Sequence, residues 1–573
     1  MKKQQRLLID SLLLGIVGGL SAQLFTWLLH VFNDLFMNKL AGYISPDLPA
    51  EGGSLIQSIG SHGLWLIPVA TTLGGLISGL LVYSLAPEAE GHGTDTAVKA
   101  YHRSGGFIRA RVPPLKMLAS AITIGSGGAA GREGPTALIS AGVGSLYGSI
   151  TKRTDEDRRA LLLIGMAAGL SAIFRSPIGT AFFAVEVLYS SMEFDAWVLL
   201  YTMLGSIVAY AVNGVFVGWQ PLFSVPTNIA QPNFWEYSWY AALGVAAGLV
   251  GALLPEIFYR VRDLFSAIPI PPHVKPAIGG LGVGLVALAL PQVLGGGYGW
   301  IQEAINGNLT LSLMAVLILA KIIALALTIS SGGSGGVFAP GLFVGAMLGG
   351  TLAKIFNQPD AAFVIVGMAA VFAGAARVPI ATLLMVTEMT GGYQLLVPAA
   401  LAIMVGYVVQ QRLSVNLRYP TLYEGQVVGR PDSPAHQIEH LETAIGLLAK
   451  RKVNVPETIS HVNLRTLIEA GIPIDLPESR RLITGTVRKG SDCIGKRAEM
   501  CFPPARETEI DLVGIFRGVK LLFPDPKLRL RADDRLLLIA RQDAWEKQKH
   551  HFIEENMPDN LTSGSDQQMQ NIQ

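Results

Sequence analysis

The stretch TIGSGGAAGREGPTALISAGVG, residues 123–144, decides how the chain folds. Its centre, GREGP at 131–135, wedges the carboxylate of Glu133 between two glycines in a run of small apolar residues. A single glycine turn of this kind is common and carries little information. Sliding the sequence by 205 positions, though, lays Ser126, Gly127, Gly128, Gly131, Pro135, Ala141 and Gly144 on Ser331, Gly332, Gly333, Gly336, Pro340, Ala346 and Gly349. The same shift lays LGGLISGLL on IGGLGVGLV, and a shift of 202 lays GMAAGLSAIFRSPIGTAFFAVE on GMAAVFAGAARVPIATLLMVTE. One unit is therefore present twice, at about 1–215 and about 235–424.

The surroundings of this repeat are those of a membrane protein. Hydrophobic residues make up 50% of the 573 and charged residues only 15%, against roughly 25% charged in soluble domains. Runs such as LLIDSLLLGIVGGLSAQLFTWLL and LMAVLILAKIIALALTI approach the roughly 20 apolar residues that a spanning helix needs. The first run exceeds a secretory h-region and is read as a retained helix. The net charge of +2, with no long basic tract, gives no reason to expect nucleic acid as a partner. Cys493 and Cys501 have a spacing that suits neither a zinc site nor a disulfide scaffold, and no metal or cofactor is expected. The basic start MKKQQRLL predicts both termini on the cytoplasmic face of a plasma or inner membrane. Two halves with odd numbers of crossings would then be oppositely oriented, an inverted repeat.

The chemistry sits in the glycine-rich breaks. GREGP and its counterpart GGVFAP both end in proline, the residue that suits a fresh helix start. A helix beginning there leaves its first backbone N–H groups without intrahelical partners and presents the positive end of its dipole, which attracts anions. Repeats in membrane proteins commonly meet around such a site at mid-membrane. Glu133 is then a tethered anion beside a site built for free ones, occupying it when ionised and leaving it when protonated or displaced. At the equivalent place in the second half stands Phe338.

These features resemble the CLC family of chloride channels and proton-coupled chloride transporters. The resemblance rests on GREGP with Glu133, GGVFAP with Phe338, PPLKMLAS with Lys116 and PTLYEGQV with Tyr423, in that order over residues 1–425. It implies an all-α, inverted-repeat membrane domain at 1–424 and a homodimer with one pore per subunit. It further implies a chloride site formed by backbone N–H groups at Gly134, Val337 and Phe338 and by the Tyr423 hydroxyl, with Glu133 as the gate. Two departures matter. Where many members carry a serine in GSGIP, this chain reads GHGTD, which puts His92 at the central anion site and leaves selectivity open. Proton-coupled members also usually have two adjacent carboxylates where this chain has Glu186–Val187.

With the inner proton acceptor replaced by Val187, the sequence favours passive, channel-like chloride permeation. The alternative is proton-coupled exchange over a non-standard path, with Glu133 and Glu186 as candidate groups. Glu186 has a repeat partner in Glu388, which points instead to a structural carboxylate held by helix-end N–H groups. A more remote alternative is a secondary transporter of another solute. An enzyme is not expected: GSGGAA at 125–130 fits a dinucleotide-binding pattern but feeds an apolar helix rather than a soluble βαβ unit.

Composition changes near residue 412, and a small α/β cytoplasmic domain is expected at 425–555, with a disordered tail at 556–573. Residues 481–542 resemble the C-terminal lobe of RCK-type regulators, which implies regulation and a small-molecule ligand with no contact residue to name.

Overall fold

The computed structural model describes residues 3–226, 232–435, 474–476, 480–488, 490–501, 510–517, 520–522, 528–541 and 552–553. Two compact units divide the chain, Met1–Val428 and Gly429–Gln573.

Among its described residues the first unit has sixteen α-helices. The first eight are α1 (Lys3–Asn33), α2 (Ile67–Leu85), α3 (Thr94–Arg103), α4 (Val112–Gly125), α5 (Glu133–Ile150), α6 (Asp155–Phe174), α7 (Pro177–Glu186) and α8 (Ala196–Val217). The second eight are α9 (Tyr237–Ala267), α10 (Lys275–Ala289), α11 (Tyr298–Ile305), α12 (Leu311–Ile329), α13 (Phe338–Phe356), α14 (Asp360–Ala376), α15 (Pro379–Thr390) and α16 (Leu396–Ser414). Eight helical segments among the described residues are long and apolar enough to cross a membrane. A two-stranded ribbon, β1 (Tyr43–Ile44) with β2 (Ser58–Ile59), lies between α1 and α2.

The two sets correspond. Helix α5 begins at Glu133 and α13 at Phe338, and α7 and α15 both begin on a proline, Pro177 and Pro379. Helices α6 and α14 end at Arg175 and Arg377, which take left-handed φ values of 54° and 56° and stop the helix just before each proline. Packing is likewise repeated, α5 on α6 and α13 on α14. These four helices are buried nearly all round, which explains why their sequences are apolar without a polar face.

Helices α7 and α15 cap each other. Glu186, at the end of α7, accepts hydrogen bonds from Ile380 N at 3.1 Å and Ala381 N at 2.7 Å in the first turn of α15. Glu388, near the end of α15, accepts from Gly179 N at 2.8 Å, Ile178 N at 3.1 Å and the Ser176 hydroxyl at the start of α7. Each carboxylate thus neutralises the positive end of the other helix, and the pair must run antiparallel. The expectation of a structural role for Glu186 has this geometry behind it.

In the second unit the described strands are β3 (Ile474–Leu476), β4 (Arg480–Val487), β5 (Ile510–Arg517), β6 (Lys520–Leu522), β7 (Arg535–Arg541) and β8 (Phe552–Ile553). They form one antiparallel sheet in the order β3-β4-β7-β5-β6, with β8 also on β4. Ile483, Val487, Ile515, Leu536 and Leu538 make its core, and Arg517 pairs with Asp534 at 2.8 Å. Residues 436–473 of the expected cytoplasmic domain and the tail at 556–573 lie outside the described residues.

Candidate functional site

Three glycine-bearing loops from the two halves are stitched together where α5 and α13 begin. Gly131 N donates to Gly336 O at 2.8 Å, and Gly336 N donates back to Gly131 O at 2.6 Å. Beside this bridge, Gly91 N donates to Gly333 O at 3.1 Å and Gly335 N to Gly91 O at 3.2 Å. The approach is close enough to exclude a side chain: a Cβ on Gly134 would stand 2.0 Å from His92 O. Glycine at 134 is therefore a packing requirement, and it exposes the first turn of α5 to whatever lies in front of it.

In front of it lies a narrow cavity lined by Thr94, Glu133, Gly134, Val337, Phe338 and Tyr423, among others. No lysine or arginine is among its described lining residues. The cavity faces the start of α5, the residue before α13 and the start of α13, so helix dipole and free amides supply its positive potential. Phe338 forms its apolar wall and is held by Phe372 and Phe174, ring centroids 4.2 and 4.5 Å away. Tyr423 is 1% exposed and lines the cavity with Thr94.

Glu133 closes one end. It is 1% exposed. Its Oε1 accepts a hydrogen bond from the Tyr298 hydroxyl, and its Oε2 accepts from Ala339 N at 3.4 Å, in the first turn of α13. The carboxylate thus rests at the positive end of a helix from the other half. Beyond it opens a vestibule of about 310 Å3, bordered by Tyr298, Arg132, Glu51 and the Gly295–Gly297 backbone. A second vestibule, about 250 Å3, is bordered by His92, Asp95, Lys99, Arg262, Ser330 and Glu424. Here the cations are paired, Lys99 with Asp95 and Arg262 with Glu424.

The site residues expected from sequence divide into three groups. Glu133, Gly134, Val337, Phe338 and Tyr423 come together around the narrow cavity. His92 borders the second vestibule instead, its ring 5.4 Å from that of Tyr423 and 6.4 Å from Phe258, with Nδ1 buried and unpartnered. Glu186 is outside both sets of lining residues, its oxygens taken by the α15 amides.

Two residues at the cavity were missed. Thr94 lines it from the start of α3, two positions past His92 in the same GHGTD motif. Tyr298 reaches Glu133 from LGGGYG, which the 205 shift lays on the GHG loop, so the repeat alignment was the signal that could have found it. Lys116, noted as a basic position, does not line the cavity. It is fully buried and donates to Ala89 O at 3.0 Å and Gly91 O at 2.6 Å, holding the GHG loop in place.

Comparison with known proteins matches residues 74–411 to the family described as Voltage gated chloride channel. A chloride channel protein of the ClcB-like kind from Ralstonia nicotianae is 31% identical over 360 residues, covering 60% of this chain and 82% of that one. The H(+)/Cl(-) exchange transporter ClcA of Salmonella agona is 31% identical over 389 residues, covering 65% of this chain and 81% of that one. Among solved structures, a slow cyanobacterial Cl-/H+ antiporter superposes with a TM-score of 0.62 at 20% identity over 72% of this chain and 96% of its own. A CLC-type fluoride/proton antiporter does so with 0.63 at 22% identity over 74% and 99%. The paired breaks, the mutually capping helices and the match over 74–411 lead to one conclusion: this chain is a multi-pass membrane protein of the CLC family, whose work is CLC-type chloride transport.

Proposed function

We propose that this chain moves chloride in exchange for protons, with Glu133 as the gate that both ions share. The Glu133 carboxylate carries this reading, because it takes a hydrogen bond from Ala339 N at the positive end of α13, where an anion entering the cavity would rest. Ionised, it competes with chloride for that place; protonated or displaced, it yields it. Amides at Gly134, Val337 and Phe338 and the Tyr423 hydroxyl would bind the ion through partial charges, weakly enough to release it.

Exchange is favoured over the channel reading by the name of the Salmonella agona relative. Val187 still removes one proton acceptor, and Glu186 does not replace it, since both its oxygens accept from α15 amides. Protons would then approach Glu133 from the second vestibule by way of water and His92. In this reading the Tyr298 vestibule is extracellular, both termini are cytoplasmic and the protein is a homodimer. Residues 425–555 form a regulatory domain whose RCK-like part, 481–542, takes a small ligand.

Purified protein in liposomes, given an outward chloride gradient, should drive protons uphill. Glu133→Ala should abolish that proton movement while chloride continues to flow with most of its pH dependence gone. Proton uptake at the wild-type rate in a well-folded Glu133→Ala protein would overturn the assignment.

A further inference from the structure

Tyr298 touches the gate directly, and everything around it fixes where its hydroxyl points. It is the first residue of α11, entered through the Gly295–Gly297 loop. Lys321, fully buried, donates to Val293 O and Gly295 O, each at 2.8 Å, and holds that loop. Gly297 takes a left-handed φ of 83°, and a Cβ there would stand 2.5 Å from the Phe343 ring, so the loop has little freedom to re-aim the next side chain. The Tyr298 ring packs 5.9 Å from Phe223, and the Arg132 guanidinium lies over it at 5.3 Å. Arg132 is in turn paired with Glu51, from the segment between β1 and β2. The phenol therefore meets Glu133 Oε1 from a prepared position.

We infer that Tyr298 is the positioning residue of the gate: its hydroxyl latches the ionised Glu133 carboxylate in the closed pose and so sets the pH at which the pathway opens. The inference rests on the reading of Glu133 as the gate. A phenol donates more strongly to a carboxylate than to a carboxylic acid. Protonation of Glu133 therefore loosens the latch at the moment the gate must move. The charged or titratable groups facing Glu133 are Tyr298 from α11, Arg132 from the residue before α5, with Glu51 behind it, and Tyr423 across the cavity. The other donor to its carboxylate from a neighbouring element is the Ala339 amide. Of the two donors, the Tyr298 hydroxyl is the one that a substitution can delete, since the Ala339 donor is a backbone amide.

The repeat makes the same point independently. The 205 shift lays Tyr298 on Gly93 and Phe338 on Glu133. Gly93 has no room for a side chain: its φ is 84°, and a Cβ would stand 2.5 Å from Gly134 O and 3.0 Å from the Lys116 side chain. The half of the molecule that offers Phe338 in place of a gate is thus met by a residue that cannot reach it, whereas Glu133 is met by one that can.

Tyr298→Phe keeps the ring, its contact with Phe223 and its place under Arg132, and removes only the hydroxyl. Loss of a hydrogen bond to the ionised form favours protonation, so the pH of half-maximal chloride flux in liposomes should rise by about one unit. In a Glu133→Ala background the same substitution should change nothing, because the latch has no bolt to hold. An unmoved midpoint in Tyr298→Phe overturns the proposal. So does a change of flux of the same size with and without Glu133, which would mean that Tyr298 acts on the pathway wall. If Glu133→Ala alone keeps the full pH dependence, the gate reading itself has failed and the latch falls with it, a result distinct from the first two.

Discussion

Lys116 and Lys321, 205 positions apart, do the same thing in the two halves of the membrane unit: each is fully buried and each donates to carbonyls of the loop ahead of a short helix. Glu186 and Glu388 also match, each capping the other's helix, and Arg175 and Arg377 both end a helix in the left-handed conformation. Around the narrow cavity the correspondence stops. Glu133 answers to Phe338, Gly93 to Tyr298 and His92 to Gly297. A side chain that the backbone needs is needed in both copies. In the proposed reading, the side chains at the cavity that are present in one copy only answer to an ion path with two unlike ends.

That division separates Glu133 from Glu186, two of the buried carboxylates of the first half. Glu133 has no carboxylate twin and lines the cavity; Glu186 has one and does not. The largest expected effect that tests the division is on stability. Glu186→Gln and Glu388→Gln each replace a carboxylate by an amide with one acceptor oxygen, and each should cost about 1.5–3 kcal/mol. Both should lose monodisperse elution after heating at lower temperatures than wild type, with the chloride-to-proton ratio of the surviving protein unchanged. Altered coupling in Glu186→Gln at wild-type stability would break the comparison and return Glu186 to the proton path.

A smaller effect is expected at His92, an unmatched residue at the rim of the cavity rather than in its wall. His92→Ser removes a buried imidazole whose Nδ1 is unpartnered and which packs on Tyr423 and Phe258, and stability should fall by about 1 kcal/mol. The chloride-to-nitrate preference should shift by a few-fold, and activation by acid on the His92 side should weaken. If preference and pH profile both stay put, the ring serves only to pack on Tyr423 and Phe258, and the rule that unmatched means functional loses one of its cases.

Much of this architecture was legible in the sequence because symmetry made it so. The starts of α5 and α13 could be read from GREGP and GGVFAP, and the structural fate of Glu186 from its twin, since a repeat displays the same requirement twice. What stayed hidden was contact between the halves. Nothing in the local pattern of LGGGYG says that Tyr298 meets Glu133, 165 positions away. That meeting depends on how the second half's loop is carried to the first half's helix, a matter of tertiary packing. His92 was placed at the central site by its motif, whereas the structure sets Thr94 in the cavity wall and His92 on the vestibule beside it. Two residues at the entry to one short helix face different spaces, and spacing alone does not distinguish them. The lean to a channel rested on Val187 at one position, with exchange over a non-standard path kept as the alternative; in the proposed exchanger, His92 at the second vestibule would take part in that path.

The claim that Glu133 serves chloride and protons together is tested most directly by the reversal potential of purified wild-type protein in liposomes, under a fixed chloride gradient and a separately imposed pH gradient. The exchanger reading predicts a reversal displaced from the chloride equilibrium potential, moving with the pH gradient. A reversal at the chloride equilibrium potential, unmoved by pH, would contradict it and establish passive permeation.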